Sequence, residues 1–239
     1  MKTLFISDLH LSQERPAITT LLLRFLQEIA PQAQALYILG DLFEVWLGDD
    51  IVLPEYQTAI NAMRSLSAQG IPIYVMYGNR DFLMRERFEQ MSGATIIHEP
   101  HIINLGGQAT LLLHGDTLCS DDAAYQQFRS MVRNPQWQET LLAKTPEQRL
   151  ALAREYRAMS QTEMAKKDEA IMDVNQQTVL ATLRQNHVHQ LIHGHTHRPG
   201  FHQFDLDGQP AQRIVLGDWY TRGSYLLCDG NQCSLEAFI

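Results

Sequence analysis

The sequence predicts an α/β fold, a two-layer or sandwich arrangement of mixed β-sheets flanked by helices, with a helical insertion. Three observations point to it. Apolar runs of strand length alternate with amphipathic helical stretches early in the chain. Hairpin signals dominate its end. Between these regions, 121–173 reads as continuous helix broken only by Pro135 and Pro146.

In order, Thr3 to Ser7 is a short apolar run, read as a buried strand that ends in Asp8-Leu9-His10. Pro16 opens a helix whose Ile18, Leu21, Leu22, Phe25, Leu26 and Ile29 form one apolar stripe, and Pro31 stops it. Ala35 to Leu39 is a second buried strand, running into Gly40-Asp41-Leu42-Phe43-Glu44. A helix over Pro54 to Ala68 follows, with Gly70 suited to its C-terminal cap. Ile71 to Tyr77 is a third strand, followed by Gly78-Asn79-Arg80-Asp81 and a short helix ending at Gly93. Ile102 to Leu105 and Ala109 to Leu113 flank Gly106-Gly107 as a hairpin, and the second of these strands ends in His114-Gly115-Asp116. After the inserted helices, Gln176 to Gln185 is helical and Leu191 to His193 forms a strand that leads into Gly194-His195-Thr196-His197. Gln212 to Leu216, Tyr225 to Cys228 and Cys233 to Phe238 read as β segments, with turns at Asp207-Gly208 and Asp229-Gly230. The domain organisation expected is a core of 1–120 and 174–239 with 121–173 inserted into it.

Bulk properties narrow the function. A formal net charge of −8 argues against DNA or RNA as a partner. The inserted stretch, where acidic and basic residues nearly balance, is less acidic than the body. Cys119, Cys228 and Cys233 are few and odd in number, and read as reduced thiols of a cytosolic protein. No apolar run approaches the roughly 18 residues of a membrane-spanning helix. Met1-Lys2-Thr3 leads straight into a strand-like run, so no signal peptide is expected.

Five strand exits carry metal-ligand residue types: Asp8 and His10, Asp41, Asn79, His114, and His195 with His197. On extended backbone, residues two apart share a face, and in α/β sheets sites lie beyond the carboxyl ends of strands. Singly, each has a blander explanation: a helix-capping Asp, a turn Asn, a hydrogen-bonded core His. Together they indicate a metal site. Mixed carboxylate, imidazole and amide donors suit Mn²⁺ or Fe²⁺ and not a thiolate-rich structural zinc.

In order and content, the blocks Asp8-Leu9-His10, Gly40-Asp41, Gly78-Asn79-Arg80-Asp81, His114-Gly115-Asp116 and Gly194-His195-Thr196-His197 resemble the calcineurin-like metallophosphoesterases. More narrowly, Tyr37 to Trp46, Gly78 to Leu83, His114 to Asp121, Ala170 to Gln176 and Leu191 to Pro199 are similar to the members that split the diphosphate of UDP-2,3-diacylglucosamine in lipid A biosynthesis. The resemblance implies two Mn²⁺ ions, one held by Asp8, His10 and His197 and the other by Asn79, His114 and His195, with Asp41 bridging them. It implies UMP and 2,3-diacylglucosamine 1-phosphate as products. It also implies substrate contacts from Asn79, Arg80, Asp122, Ser160, Met164, Lys167 and His195, with Met164 at a position often polar in relatives. Catalytic roles are expected for Asn79, Arg80 and His195.

Arg80 departs from the His that many calcineurin-like enzymes carry after the Gly-Asn block. Arginine keeps its proton at working pH, so it suits a leaving group that needs no protonation. A phosphate, with second pKa near ~6, is one. The competing explanation is that Arg80 only pairs with Asp81 or Asp116. In the insertion, Arg157, Ser160, Met164 and Lys167 share one helical face, and Asp122 and Tyr125 begin the segment beside the His114 exit. Trp46, Phe82, Phe128, Met131, Val132, Trp137, Leu141, Leu142, Tyr156 and Met159 are candidates for an apolar chamber, or simply core. The protein is expected to be a soluble body touching the cytoplasmic face of the bacterial inner membrane, with no obligate protein partner. Two other functions compete: a general phosphodiesterase or nuclease, and a non-catalytic scaffold with the same fold.

Overall fold

A computed structural model of the chain describes residues 2–164, 171 and 173–239. Its first sheet has the order β11-β10-β1-β2-β3-β4. Here β1 is Lys2–Ile6, β2 Ala35–Leu39, β3 Ile73–Met76, β4 Thr95–Ile97, β10 Gly223–Asp229 and β11 Gln232–Phe238. Strands β1 to β4 run parallel, and β10 and β11 close the edge antiparallel. The second sheet has the order β5-β6-β7-β9-β8, from β5 (His101–Leu105), β6 (Gln108–Leu112), β7 (Gln190–His193), β8 (Gly200–Leu206) and β9 (Gln209–Val215). Strands β6, β7 and β9 are parallel.

The period-two alternation of side chains explains the layering. Phe5, Leu39 and Met76 of the first sheet pack with Leu112, Ile192 and Ile214 of the second in an inner core. Leu4, Ile6, Leu36, Ile38 and Val75 point the other way, against helices α1 (Pro16–Arg24), α2 (Gln57–Ala68) and α3 (Glu86–Ser92). Leu111 and Leu191 do the same on the outer face of the second sheet, against Val179 and Leu183. Helix, sheet, sheet and helix therefore stack as a sandwich, as the sequence predicts.

Some boundaries differ from the sequence reading. The first helix passes at Phe25–Ile29 into a π-turn and then a 3₁₀ turn, Ala30–Gln32. There Phe25 sits against Trp219, Tyr225 and Phe238. Strand β4 has only three residues, too short for an alternation to register. Most of the polar strand β8 is solvent-facing, so it lacks an apolar run. The expectation of three reduced thiols is corrected. Cys228 and Cys233 face each other across β10 and β11 and are joined as a disulfide, leaving Cys119 as the free, buried thiol. The Asp229-Gly230 turn sets that register, which a cysteine count does not see.

Helices α4 (Ala123–Val132), α5 (Pro135–Leu142) and α6 (Pro146–Met164) lie in the stretch between β6 and α7 (Gln176–Gln185). Asp122 caps α4 by accepting from the Tyr125 N–H at 3.0 Å, and Asn134 caps α5. Buried Arg149 ties the segment to the loop after β2. Its guanidinium meets both Asp50 oxygens at 2.6 and 2.8 Å and donates to the carbonyls of Leu47, Leu142 and Lys144. Removing it strands those carbonyls. Arg149→Ala should lower stability by about 1–3 kcal/mol and speed proteolytic cleavage between α5 and α6; denaturant melts and limited proteolysis that match wild type would show that this anchor is dispensable.

Candidate metal centre and active site

The exits of β1, β2, β3, β6 and β7 meet at one edge of the sandwich. Backbone hydrogen bonds stitch them together: Asp8 N–H to Gly40 O, His10 N–H to Asp41 O, and Gly194 N–H to His114 O. Seven non-glycine residues adopt positive φ among those described, and five of them are Asp8, His10, Asp41, His195 and His197. Such backbone is sparsely populated and collects at functional sites. Two glycines make the approach possible. A Cβ on Gly78 would lie 2.0 Å from Asp41 Oδ1, and one on Gly194 2.4 Å from Asp8 Oδ2.

The seven donors named from the sequence converge. Asp8 Oδ1 lies 3.3 Å from His197 Nε2. Asp41 presents its two oxygens to opposite halves, Oδ2 at 3.6 Å from His10 Nε2 and Oδ1 at 3.9 Å from His114 Nε2. Asn79 Oδ1 lies 3.0 Å from His114 Nε2 and 3.2 Å from His195 Nδ1. Donor atoms of Asp8, His10 and His197, and again of Asp8, Asp41 and His114, fall within 4.8 Å of one another.

Neighbouring groups orient Asp8 and His114. Asp8 Oδ2 accepts from the Ser7 hydroxyl at 2.6 Å and the His195 N–H at 2.9 Å, which leaves Oδ1 facing the centre. His114 Nδ1 sits 2.9 Å from the Leu39 carbonyl. An N–H there fixes the tautomer and turns the Nε2 lone pair inward. Asp81, flanking Arg80 in sequence, accepts from the N–H groups of Gly78, Leu42 and Phe43. It knits the exits of β2 and β3 together and does not pair with Arg80.

The electrostatics suit cation binding. Burial pushes the Asp41 carboxyl up to about 7, with Asp81 and Asp8 adding to the shift. Burial opposes charge on His114 as well, yet Asp41, Asp116, Asp8 and Glu99 hold its imidazole up at about 9. Both are responses to negative charge concentrated out of water, which a divalent cation relieves. Burial drives His10 down to about 3 and His195 to about 4, so both are neutral imidazoles at pH 7. Asp8 Oδ1 and both ring nitrogens of His10 are buried without a hydrogen-bond partner. Orphaned buried polar atoms are costly, and coordination would satisfy Asp8 Oδ1 and the one His10 nitrogen that carries a lone pair, so the residues present fit metal ions.

Two polar networks flank the donors. On the His114 side, Asp116 Oδ2 accepts from the Tyr125 hydroxyl and Arg129 Nε, both at 2.7 Å, while Glu99 pairs with Arg129 and accepts from the His114 N–H. The Tyr125 ring lies 5.8 Å from that of His195. On the His10 side, Glu44 meets Arg157 at 2.9 Å and Arg80 at 3.6 Å. Arg80 therefore pairs with neither Asp81 nor Asp116. Tyr220 lies against His10 and His197, and the Arg15 guanidinium sits over its ring, 4.8 Å from the centroid. The sequence reading passes over Glu44, Arg15, Tyr220 and Asp218, whose Oδ2 lies 3.9 Å from His197 Nδ1, as site residues. Glu44 stands three residues after Asp41, the one local signal that could have marked it.

Among the named substrate contacts, Asp122 is the α4 cap and Tyr125 bonds Asp116, while Arg157 and Ser160 are half-buried on α6. Lys167 lies outside the described residues, as does the side chain of Met164. Trp46 is corrected from chamber candidate to core. Its ring packs among Phe43, Tyr56 and Phe88, and its N–H donates to Asp49 at 2.9 Å. Phe82, Trp137, Tyr156 and Phe128 instead form a half-buried aromatic chain.

This arrangement of strand exits is that of the calcineurin-like phosphoesterases; the chain matches that family over residues 1–199 and belongs to it, a family of hydrolytic enzymes. Over nearly its whole length it is also similar to proteins described as UDP-2,3-diacylglucosamine hydrolase. It is 52% identical to that of Edwardsiella ictaluri, covering 96% of this chain and 89% of the relative. With that of Aeromonas salmonicida the identity is 48%, covering 99% and 93%, and with that of Serratia proteamaculans 47%, covering 100% and 99%.

Because Asp41 faces both halves, Asp41→Ala should strip most bound divalent metal from the protein and abolish hydrolysis. Metal analysis of the purified variant checks this; full loading with near-normal turnover would remove Asp41 from the bridging role.

Proposed function

We propose that the chain hydrolyses the diphosphate of UDP-2,3-diacylglucosamine to UMP and 2,3-diacylglucosamine 1-phosphate, by attack of water at the α-phosphorus at a pair of Mn²⁺ ions. The observation that carries this reading is the convergence of seven donors beside the arginines Arg80 and Arg157. The relatives' shared description supplies the substrate.

Asp8, His10 and His197 would hold one ion and Asn79, His114 and His195 the other, with Asp41 between them. Divalent cations bound there supply charge neutralisation for phosphoryl oxygens and a nucleophile from water at neutral pH. Arg80 places fixed positive charge on the phosphoryl oxygens. It has no proton to give, and the departing sugar phosphate needs none. The His195 imidazole, wedged between Tyr125 and His114, keeps the attacked phosphorus oriented. Arg157 and Ser160 of α6, with Asp122 and Tyr125, contact the sugar phosphate, and the substrate-contact role expected for Met164 and Lys167 falls on a side chain and a residue outside those described. The aromatic chain of Phe82, Trp137, Tyr156 and Phe128 gives the acyl groups an apolar wall, so the segment 121–173 is the lipid-recognition lid. Exposed Met131 and Met159 meet the cytoplasmic leaflet of the inner membrane.

Turnover of UDP-2,3-diacylglucosamine in ¹⁸O water tests the reading: the label should appear in UMP. Label in the sugar phosphate would overturn attack at the α-phosphorus, and no turnover would overturn the substrate. Arg80→Ala should slow diphosphate cleavage by roughly 10³-fold or more with metal content unchanged, and Lys should restore only part, lacking the planar fork. Activity within a few-fold of wild type would make Arg80 a structural ion-pair residue.

A further inference from the structure

Glu44 is the point on which the cationic side of the site converges. Its carboxylate is 9% exposed. Oε1 lies 2.9 Å from Arg157 Nη1 and 3.6 Å from Arg80 Nη1, while Oε2 lies 3.7 Å from Arg15 Nη2 and 3.6 Å from His10 Nδ1. These four groups come from the exits of β1 and β3, the turn before α1, and α6. The carboxylate itself is fixed from the β2 exit: the Glu44 N–H donates to Leu11 O at 3.0 Å, beside a parallel bridge between Leu11 and Phe43. The same Arg15 Nη2 donates to the His10 carbonyl at 2.5 Å, which fixes its place beside the carboxylate.

One carboxylate among three guanidinium groups leaves a surplus of positive charge. The arginines stay attractive to an anion, while their mutual repulsion is offset. The same carboxylate faces Nδ1 of His10, whose Nε2 faces Asp41 Oδ2. At 3.6 Å the carboxylate makes no direct hydrogen bond to Nδ1, but its negative charge favours an N–H there and leaves Nε2 as the acceptor that faces Asp41 and the centre.

We propose that Glu44 is a positioning residue for this reaction: it holds Arg15, Arg80 and Arg157 as a preassembled rack for a substrate with two linked phosphates, and it orients His10 toward the metal centre. Glu44 acts through these neighbours and makes no contact with the substrate of its own. The rack rests on the diphosphate substrate proposed above; the orientation of His10 requires only the metal centre.

The test uses full-length Glu44→Gln and Glu44→Asp with three measurements: divalent-metal affinity by chelator competition, kcat and KM on UDP-2,3-diacylglucosamine, and kcat and KM on bis(4-nitrophenyl) phosphate, a diester with no second phosphate. Glu44→Gln should weaken metal affinity by about 10- to 100-fold. With metal restored to saturation, its kcat/KM should fall at least about tenfold further on the diphosphate than on the diester, the loss expected when charged contacts to one phosphate are misplaced. Glu44→Asp, which keeps the charge, should recover part of both. Wild-type metal affinity in Glu44→Gln together with equal losses on the two substrates would overturn the proposal, since a merely structural carboxylate moves both activities alike. If Glu44→Gln does not fold, Glu44→Asp decides by the same two readings at smaller size. If wild type itself fails to cleave the UDP-lipid, the substrate reading falls alone, and the metal-affinity measurement decides Glu44.

Discussion

The left-handed backbone at the strand exits is the constraint on which the rest of the structure depends. Asp8, His10, Asp41, His195 and His197 all hold positive φ, at a cost of about 1–2 kcal/mol for each residue. Set against a net stability of about 5–15 kcal/mol for a typical domain, five such residues are a large load. They persist because the parallel strands bring neighbouring exits within backbone hydrogen-bonding distance. Asp8 bonds the Gly40 carbonyl, His10 that of Asp41, and Gly194 that of His114. Each reversed turn is thus clamped by the next, and the reversal aims the side chains across the sheet edge instead of along it.

Buried acids beside the donors add to this clamping. Asp81 gathers three backbone amides between the exits of β2 and β3. Asp116 and Glu99 engage Arg129 and Tyr125 behind His114 and His195, and Glu44 engages Arg80 and Arg157 beside His10. Tyr125 and Arg129 belong to α4, and Arg157 to α6. Helices α4 and α6 therefore contribute to the surroundings of both halves of the centre. Their placement against the core, held by Arg149 on Asp50, is coupled to the geometry of the donors.

The parts legible in the sequence are those with local signatures. An apolar run followed by donor residues at two-residue spacing marks β1 and β7 with their exits, because strand periodicity and ligand geometry both act over a few residues. What escaped depends on partners distant in sequence. Glu44 is one carboxylate among many until Arg157 packs onto it, and Trp46 reads as a chamber residue until Phe43, Tyr56 and Phe88 enclose it. Cys228 and Cys233 pair through the register of β10 and β11, which a count of cysteines does not contain. Strand β8 is recognised by its partner β9 more than by its own polar sequence.

The centre also straddles the two sheets. Asp8, His10, Asp41 and Asn79 leave the first sheet, while His114, His195 and His197 leave the second. The spacing between these sets is governed by the inner core of Phe5, Leu39, Met76, Leu112, Ile192 and Ile214 directly behind them. Stacked sheets sit about 10 Å apart, and the side chains between them set that distance. Close-packed interiors transmit a change of one methylene. Metal coordination tolerates only a few tenths of an ångström in ligand distance. The inner core is therefore part of the coordination geometry: Asp41 can face His10 from its own sheet and His114 from the other only while that packing holds the sheets at one separation.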